Sequence, residues 1–102
     1  MIETVDGLRH GQLVSSIAGR DKDGFYLIWN TIGERYIEVV DGEKHPIAKP
    51  KKKNLKHMMI TMLVATDIED LILKGQSVKD FQIAAAIRRK KNELEEGDRF
   101  HG

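Results

Sequence analysis

Between Lys44 and His57 the chain carries Lys44, Lys49, Lys51, Lys52, Lys53 and Lys56, with His45 and His57 alongside and no acid. Ammonium groups gathered without carboxylates suit a polyanion. Each one that meets a phosphate releases a condensed counterion, which adds affinity but no sequence choice. Pro46 and Pro50 stiffen the approach, so Lys49 to Lys56 is expected to be an extended basic segment that tracks phosphates. Most charge runs are solvated loops kept polar for solubility. The lack of interleaved acids over this length tips the balance toward binding.

A second candidate is the turn Gly19-Arg20-Asp21-Lys22-Asp23-Gly24. Glycine at both ends permits a tight loop and close backbone approach to a ligand. Arg20 offers a planar fork and Lys22 a point charge, both apt for phosphate. A third is Arg88-Arg89-Lys90-Lys91, followed by Glu93, Glu95, Glu96 and Asp98. Successive helical residues point about 100° apart, so the four cannot share a face. Pairs such as Arg89–Glu93 and Lys91–Glu95 would neutralise part of the run. A second polyanion contact and an ordinary salt-bridged helix both stay open there.

The remaining chemistry is thin. The chain has no cysteine, hence no disulfide, thiolate nucleophile or cysteine-based zinc site, a composition that favours a reducing compartment. His10, His45, His57 and His101 show no helical ligand spacing, so neither a metal nor another cofactor is expected. Ser15 and Ser16 have no evident base, and Asp67, Glu69 and Asp70 are better explained by helix capping and the helix dipole. No active site is legible. Among the aromatics, Phe25 and Trp29 are assigned to the core, while Tyr26 and Tyr36 are open to core or base-stacking roles.

The elements that must position these groups fit one domain across all 102 residues. Hydrophobic residues make up 40% and charged residues 32%, and the formal net charge of +1 averages over strong segregation. Met1 to His10 lacks an apolar run and no stretch is long enough to span a bilayer, so a cytoplasmic protein without a membrane partner is expected. Strands are predicted over Gln12–Ala18, Phe25–Thr31 and Tyr36–Val40, with a short edge strand near His45–Ala48 and a closing strand Met58–Met62. Asp41-Gly42 is the strongest hairpin signal and fits a type I′ turn. Thr66-Asp67-Ile68-Glu69 has capping-box spacing and opens a helix striped by Val64, Ile68, Leu71 and Ile72, ending at Lys74-Gly75. A second helix starts over Ser77–Asp80, uses Phe81, Ala84, Ala85 and Ile87 as its apolar face, and closes at Gly97.

Gly11, Val14, Gly19, Arg20, Lys22 and Gly24, then an apolar strand and Val40-Asp41-Gly42, resemble the KOW motif of translation-protein SH3-like barrels. The run Lys49-Pro50-Lys51-Lys52-Lys53-Asn54-Leu55-Lys56-His57 is similar to small KOW-domain RNA-binding proteins. These are related to the archaeal and eukaryotic large-subunit ribosomal proteins fourteen, six and twenty-seven. KOW loops usually place glycine directly after the lysine; here Asp23 intervenes. The resemblance covers roughly Leu8 to Met62. It implies a mainly β fold: a five-stranded SH3-like barrel over 8–62, followed by two α-helices over 63–97 packed on it.

It further implies a non-catalytic protein that binds RNA, most simply ribosomal RNA, with ribosomal proteins as further partners and no small-molecule substrate. The implied contacts are Arg20, Lys22, Lys49, Lys51, Lys52, Lys53, Lys56 and His57, with Arg88 and Arg89 as a second patch. Two alternatives belong to other classes. One is a protein-interaction SH3-like module in which the lysines are incidental. The other is a helix-turn-helix DNA binder using the C-terminal helices, whose base-reading positions would include Lys79 and Gln82.

Overall fold

The computed structural model describes residues 4–19 and 24–101, with side chains of the final helix described to residue 97. Five strands, β1 (Gln12–Ser16), β2 (Phe25–Ile32), β3 (Tyr36–Val40), β4 (Lys51–Asn54) and β5 (Met58–Val64), precede α1 (Thr66–Leu73) and α2 (Asp80–His101). A 3-10 turn, Leu55–His57, joins β4 to β5. The strands form one antiparallel sheet in the order β4-β3-β2-β1-β5. β4 and β5 are its edges, so the ladders leave the sheet open rather than closed into the expected barrel.

The central strands are apolar on both faces because both faces are covered. Val14, Tyr26, Ile28, Ile37 and Val39 meet Leu55 and Met58 in one cluster. Ile37 and Met58 come from opposite sides of the β1–β2 pair, so the sheet must curl for them to share it. On the other face Leu13, Leu27 and Val40 pack with Ala65, Ile68, Ile83, Ala86 and Ile87. The ambiguous alternation of β1 has the same cause: all five of its residues are buried. Truncating a side chain such as Leu27 to Ala would cost about 2–5 kcal/mol.

Two glycines fix how the helices meet the sheet. Gly11 has φ +80°, and a Cβ there would lie 2.9 Å from the Ala65 carbonyl oxygen. The Gly11 carbonyl in turn accepts the Ala65 N–H at 2.8 Å. Gly42, also at φ +80°, abuts the start of α2: a Cβ would collide with the Asp80 carbonyl and come within 3.1 Å of the Ala84 nitrogen. Side chains rarely adopt this backbone region, and here there is no room for one.

The Gly42 contact governs the chain that follows β3. Asp41-Gly42 is not a two-residue hairpin turn but the start of a long connection that returns to the sheet only at Lys51. The Asp41 carboxylate accepts the N–H groups of Glu43 and His45, each at 2.8 Å, and folds the chain locally. Asp80 then accepts the Ile47 N–H at 2.8 Å and pins the connection to α2. The expected strand near His45–Ala48 is therefore absent, and the lysines themselves form β4.

The helices also depart in detail. Ala65, not Thr66, caps α1 without a side-chain bond. The expected capping-box glutamate, Glu69, instead binds Arg9. Gly75, at φ +69°, ends α1 as anticipated, with its N–H on the Ile72 carbonyl. α2 buries Ile83, Ala86 and Ile87, whereas Phe81 is 68% exposed. The Gly42 contact turns the helix so that the 83–86–87 stripe faces the sheet. It also runs through Gly97 to His101, since an interior glycine weakens a helix without compelling it to stop. No helix among the described residues is long and apolar enough to cross a membrane.

Candidate nucleic-acid interface

β4 is paired on one side only, to β3, in the register Tyr36↔Asn54, Ile37↔Lys53, Glu38↔Lys52 and Val39↔Lys51. Strand alternation divides the lysines between two faces. Lys51 and Lys53 share the face of Val39 and Ile37, while Lys52 stands on the other with Glu38 and Tyr36. Lys51 and Lys52 are exposed and Lys53 is half-buried. The expected phosphate-tracking segment is thus a fixed strand with its cations splayed around an edge. Lysine stems can lie along the apolar rim while their ammonium groups stay in water.

The segment continues around the 3-10 turn. Leu55 is buried and anchors it, its N–H bonding the Arg35 carbonyl at 2.9 Å. The Asn54 side-chain oxygen accepts the Lys56 N–H at 3.1 Å, which leaves Lys56 and His57 exposed. The His57 carbonyl accepts the N–H of Ile17 at 2.9 Å. The end of the lysine segment is therefore tied to the chain just before Arg20 and Lys22, which themselves lie outside the described residues. Lys49 is exposed in the connection, directly before Pro50 and β4.

Tyr36 is the aromatic of this edge. It is 39% exposed, and the Lys52 ammonium lies 4.5 Å from its ring centroid. Phe25 and Trp29 pack against the helix-side core, as expected. Tyr26, 4% exposed, is a core residue and so drops out of the stacking candidates.

Arg88 and Arg89 occupy a different region. Arg89 reaches Asp67 of α1 at 2.9 Å, and Arg88 lines a crevice of about 250 Å³ with Phe25, Asp41, Glu43 and Lys91. Lys90 pairs with Glu93 at 2.8 Å, and the Lys91 ammonium sits 5.0 Å from the Phe25 centroid. The anticipated Arg89–Glu93 pair gives way to one between helices, which periodicity within one helix could not reveal. Lys79, at the head of α2, is exposed, and its N–H bonds the Gln82 side-chain oxygen at 2.8 Å.

Sequence reasoning missed two features. The Arg9–Glu69 bridge, 2.7 Å from Nε to Oε2, links the chain before β1 to α1 across a separation with no local signal. β5 and the distal half of α2 also flank an apolar groove of about 680 Å³, lined by Met59, Met62, Leu63 and Leu94. Among the described residues no group of three or more His, Asp or Glu side chains is placed to hold a metal ion. Compared with known protein families and with curated proteins, the chain matches none.

Proposed function

We propose that this protein is a non-catalytic RNA-binding module of the KOW type, and that its RNA is ribosomal or ribosome-associated. The observation that carries the reading is the basic edge: exposed Lys51 and Lys52 on β4 lead through Lys56 and His57 to the hydrogen bond between the His57 carbonyl and Ile17. Arg20 and Lys22 follow Ile17 by three and five residues, so two basic segments distant in sequence issue from adjoining backbone. Cations carried on a paired strand, with no acid between Lys44 and His57 in the chain, are the arrangement that tracks a phosphate chain. Glu38, opposite Lys52, is the acid that most directly tempers it.

The fold reading goes with the function. A meander β1–β4, a 3-10 turn and a fifth strand returning to β1 make the strand order of a small SH3-like barrel, and the curled sheet around Val14, Ile37 and Met58 supports it. "Ribosomal" rests on the resemblance of the Gly11–Gly24 and Lys49–His57 segments; the charge layout by itself supports a polyanion.

The test is affinity for ribosomal subunits and their isolated RNA across a salt series, with wild type beside the Lys51, Lys52, Lys53→Ala variant. Wild type is expected to show a steep slope of log affinity against log salt. The triple change should flatten it by about two to three, near 0.9 for each lost duplex-phosphate contact. Equal binding by both proteins, or none by either, would overturn the reading and direct attention to protein partners.

A further inference from the structure

Within that RNA-binding reading, we infer that Tyr36 and Lys52 form a nucleotide-stacking site, so that the basic edge takes an unpaired RNA segment rather than a duplex backbone alone. A nucleotide joins an aromatic face to an anion. This pair offers an aromatic face and a cation, 4.5 Å from ammonium to ring centroid, on the face of the β3–β4 pair opposite Ile37 and Val39. Tyr36 is the described β-sheet aromatic with a substantially exposed ring, and its position is not loose. It opens β3, is held opposite Asn54 in the ladder, and is flanked by the bond from Leu55 N–H to the Arg35 carbonyl. A ring carried on paired strands loses little freedom when a base stacks on it.

The ammonium is the mobile member. Lys52 has a flexible stem and can trade the ring for a phosphate of the same strand, whereas the Tyr36 ring stays in place. Phosphates of a continuous duplex would use the lysines and leave the ring idle, because paired bases hide their faces in the stack. Only an unpaired base can engage both members.

The experiment compares a uridine oligoribonucleotide, an abasic ribose–phosphate oligomer of equal length and an RNA duplex. Each is titrated with wild type, Tyr36→Phe, Tyr36→Ala and the Lys51, Lys52, Lys53→Ala variant. Tyr36→Ala should weaken binding to the uridine oligomer about 5- to 150-fold, the span of one base–aromatic stack. Its salt slope should match wild type, since stacking releases no counterion, while the lysine variant should lose slope. Tyr36→Phe should keep the affinity, and the abasic oligomer should bind wild type and Tyr36→Ala equally. If Tyr36→Ala, folded by its circular dichroism and thermal melt, binds the uridine oligomer like wild type, the stacking site is overturned and RNA binding stands. If wild type binds none of the three probes, nor ribosomal RNA, both fail together.

Discussion

The two edges of the sheet are built on opposite chemistry. β4 is Lys-Lys-Lys-Asn, whereas β5 reads Met-Met-Ile-Thr-Met-Leu-Val without a charge. Both present backbone donors and acceptors along one side, and an unpaired edge invites pairing with another chain. Lysines blunt that hazard on β4 by placing charge and mobile stems along it. That role needs no ligand, and RNA binding would come in addition to it. β5 has no such guard. Met62 is 88% exposed and Met59 44%, with the distal half of α2 standing beside the strand across the apolar groove. Guarding against edge pairing does not by itself account for the lysines, since a sheet protected in the same way along both edges would carry charge on both.

Two glycines pack tightly against the helices, Gly42 at the connection that leads to β4 and Gly11 against Ala65 where β5 passes into α1, and these give the largest expected effects. Gly42→Ala forces a side chain into the Asp80 carbonyl at positive φ. Backbone strain of about 1–2 kcal/mol adds to overpacking of about 1–3 kcal/mol, so a loss near 3 kcal/mol is expected in urea unfolding. The damage should centre on the connection to β4, seen as faster amide exchange there. Gly11→Ala, whose Cβ would lie 2.9 Å from the Ala65 oxygen, should cost less and loosen the β5–α1 junction instead. Equal, negligible losses from both would show that the helices do not dock on these glycines.

The edge chemistry itself should respond with little change in stability. Met62→Lys alters an almost fully exposed side chain, so unfolding free energy should move by no more than about 0.5 kcal/mol. Aggregation at mild denaturant should slow, because the added charge guards the open edge. Lys51, Lys52, Lys53→Thr should do the reverse, speeding aggregation while keeping strand propensity. Light scattering during partial unfolding separates the two. Faster aggregation of the Met62→Lys protein would break the comparison.

What could be read from the sequence follows from how far each cause reaches along the chain. The apolar run of β2, the end of α1 at Lys74-Gly75 and the lysine block are local signals, and all are present in the structure. Asp41-Gly42 misled because its glycine answers to α2, far along the chain, rather than to a tight turn. The lysines were legible as a basic segment but not as a strand. Three consecutive lysines have poor strand propensity, and β4 forms because β3 offers a ladder to pair with. Phe81 misled for a similar reason: the 3.6-residue period fits two neighbouring stripes, and only the docking at Gly42 selects the one through Ile83, Ala86 and Ile87. The Tyr36–Lys52 contact depends on the β3–β4 register, which no local pattern encodes.

The smallest expected effect tests the electrostatic strut between the chain before β1 and α1. Arg9 grips Glu69 of α1, with 2.7 Å from Nε to Oε2, just before the chain enters β1. The hydrogen bond from Arg9 holds the Glu69 carboxyl below its ordinary range, with the charges of Arg9 and His10 helping and burial and Asp70 opposing. A carboxyl whose folded value is depressed stabilises the fold fully above its unfolded value, about 4.3. That contribution is lost as pH falls through the folded value, because the folded state must then take up a proton it binds less readily than the unfolded chain does. Thermal melts of wild type should therefore drop more steeply below about pH 4 than those of Glu69→Gln, and the two curves should run parallel above it. Arg9→Gln should reproduce the flattened profile, since it removes the cause of the shift, whereas Lys51, Lys52, Lys53→Ala should not. Profiles that coincide for wild type and Glu69→Gln would mean that the strut adds nothing to holding α1 against the start of β1.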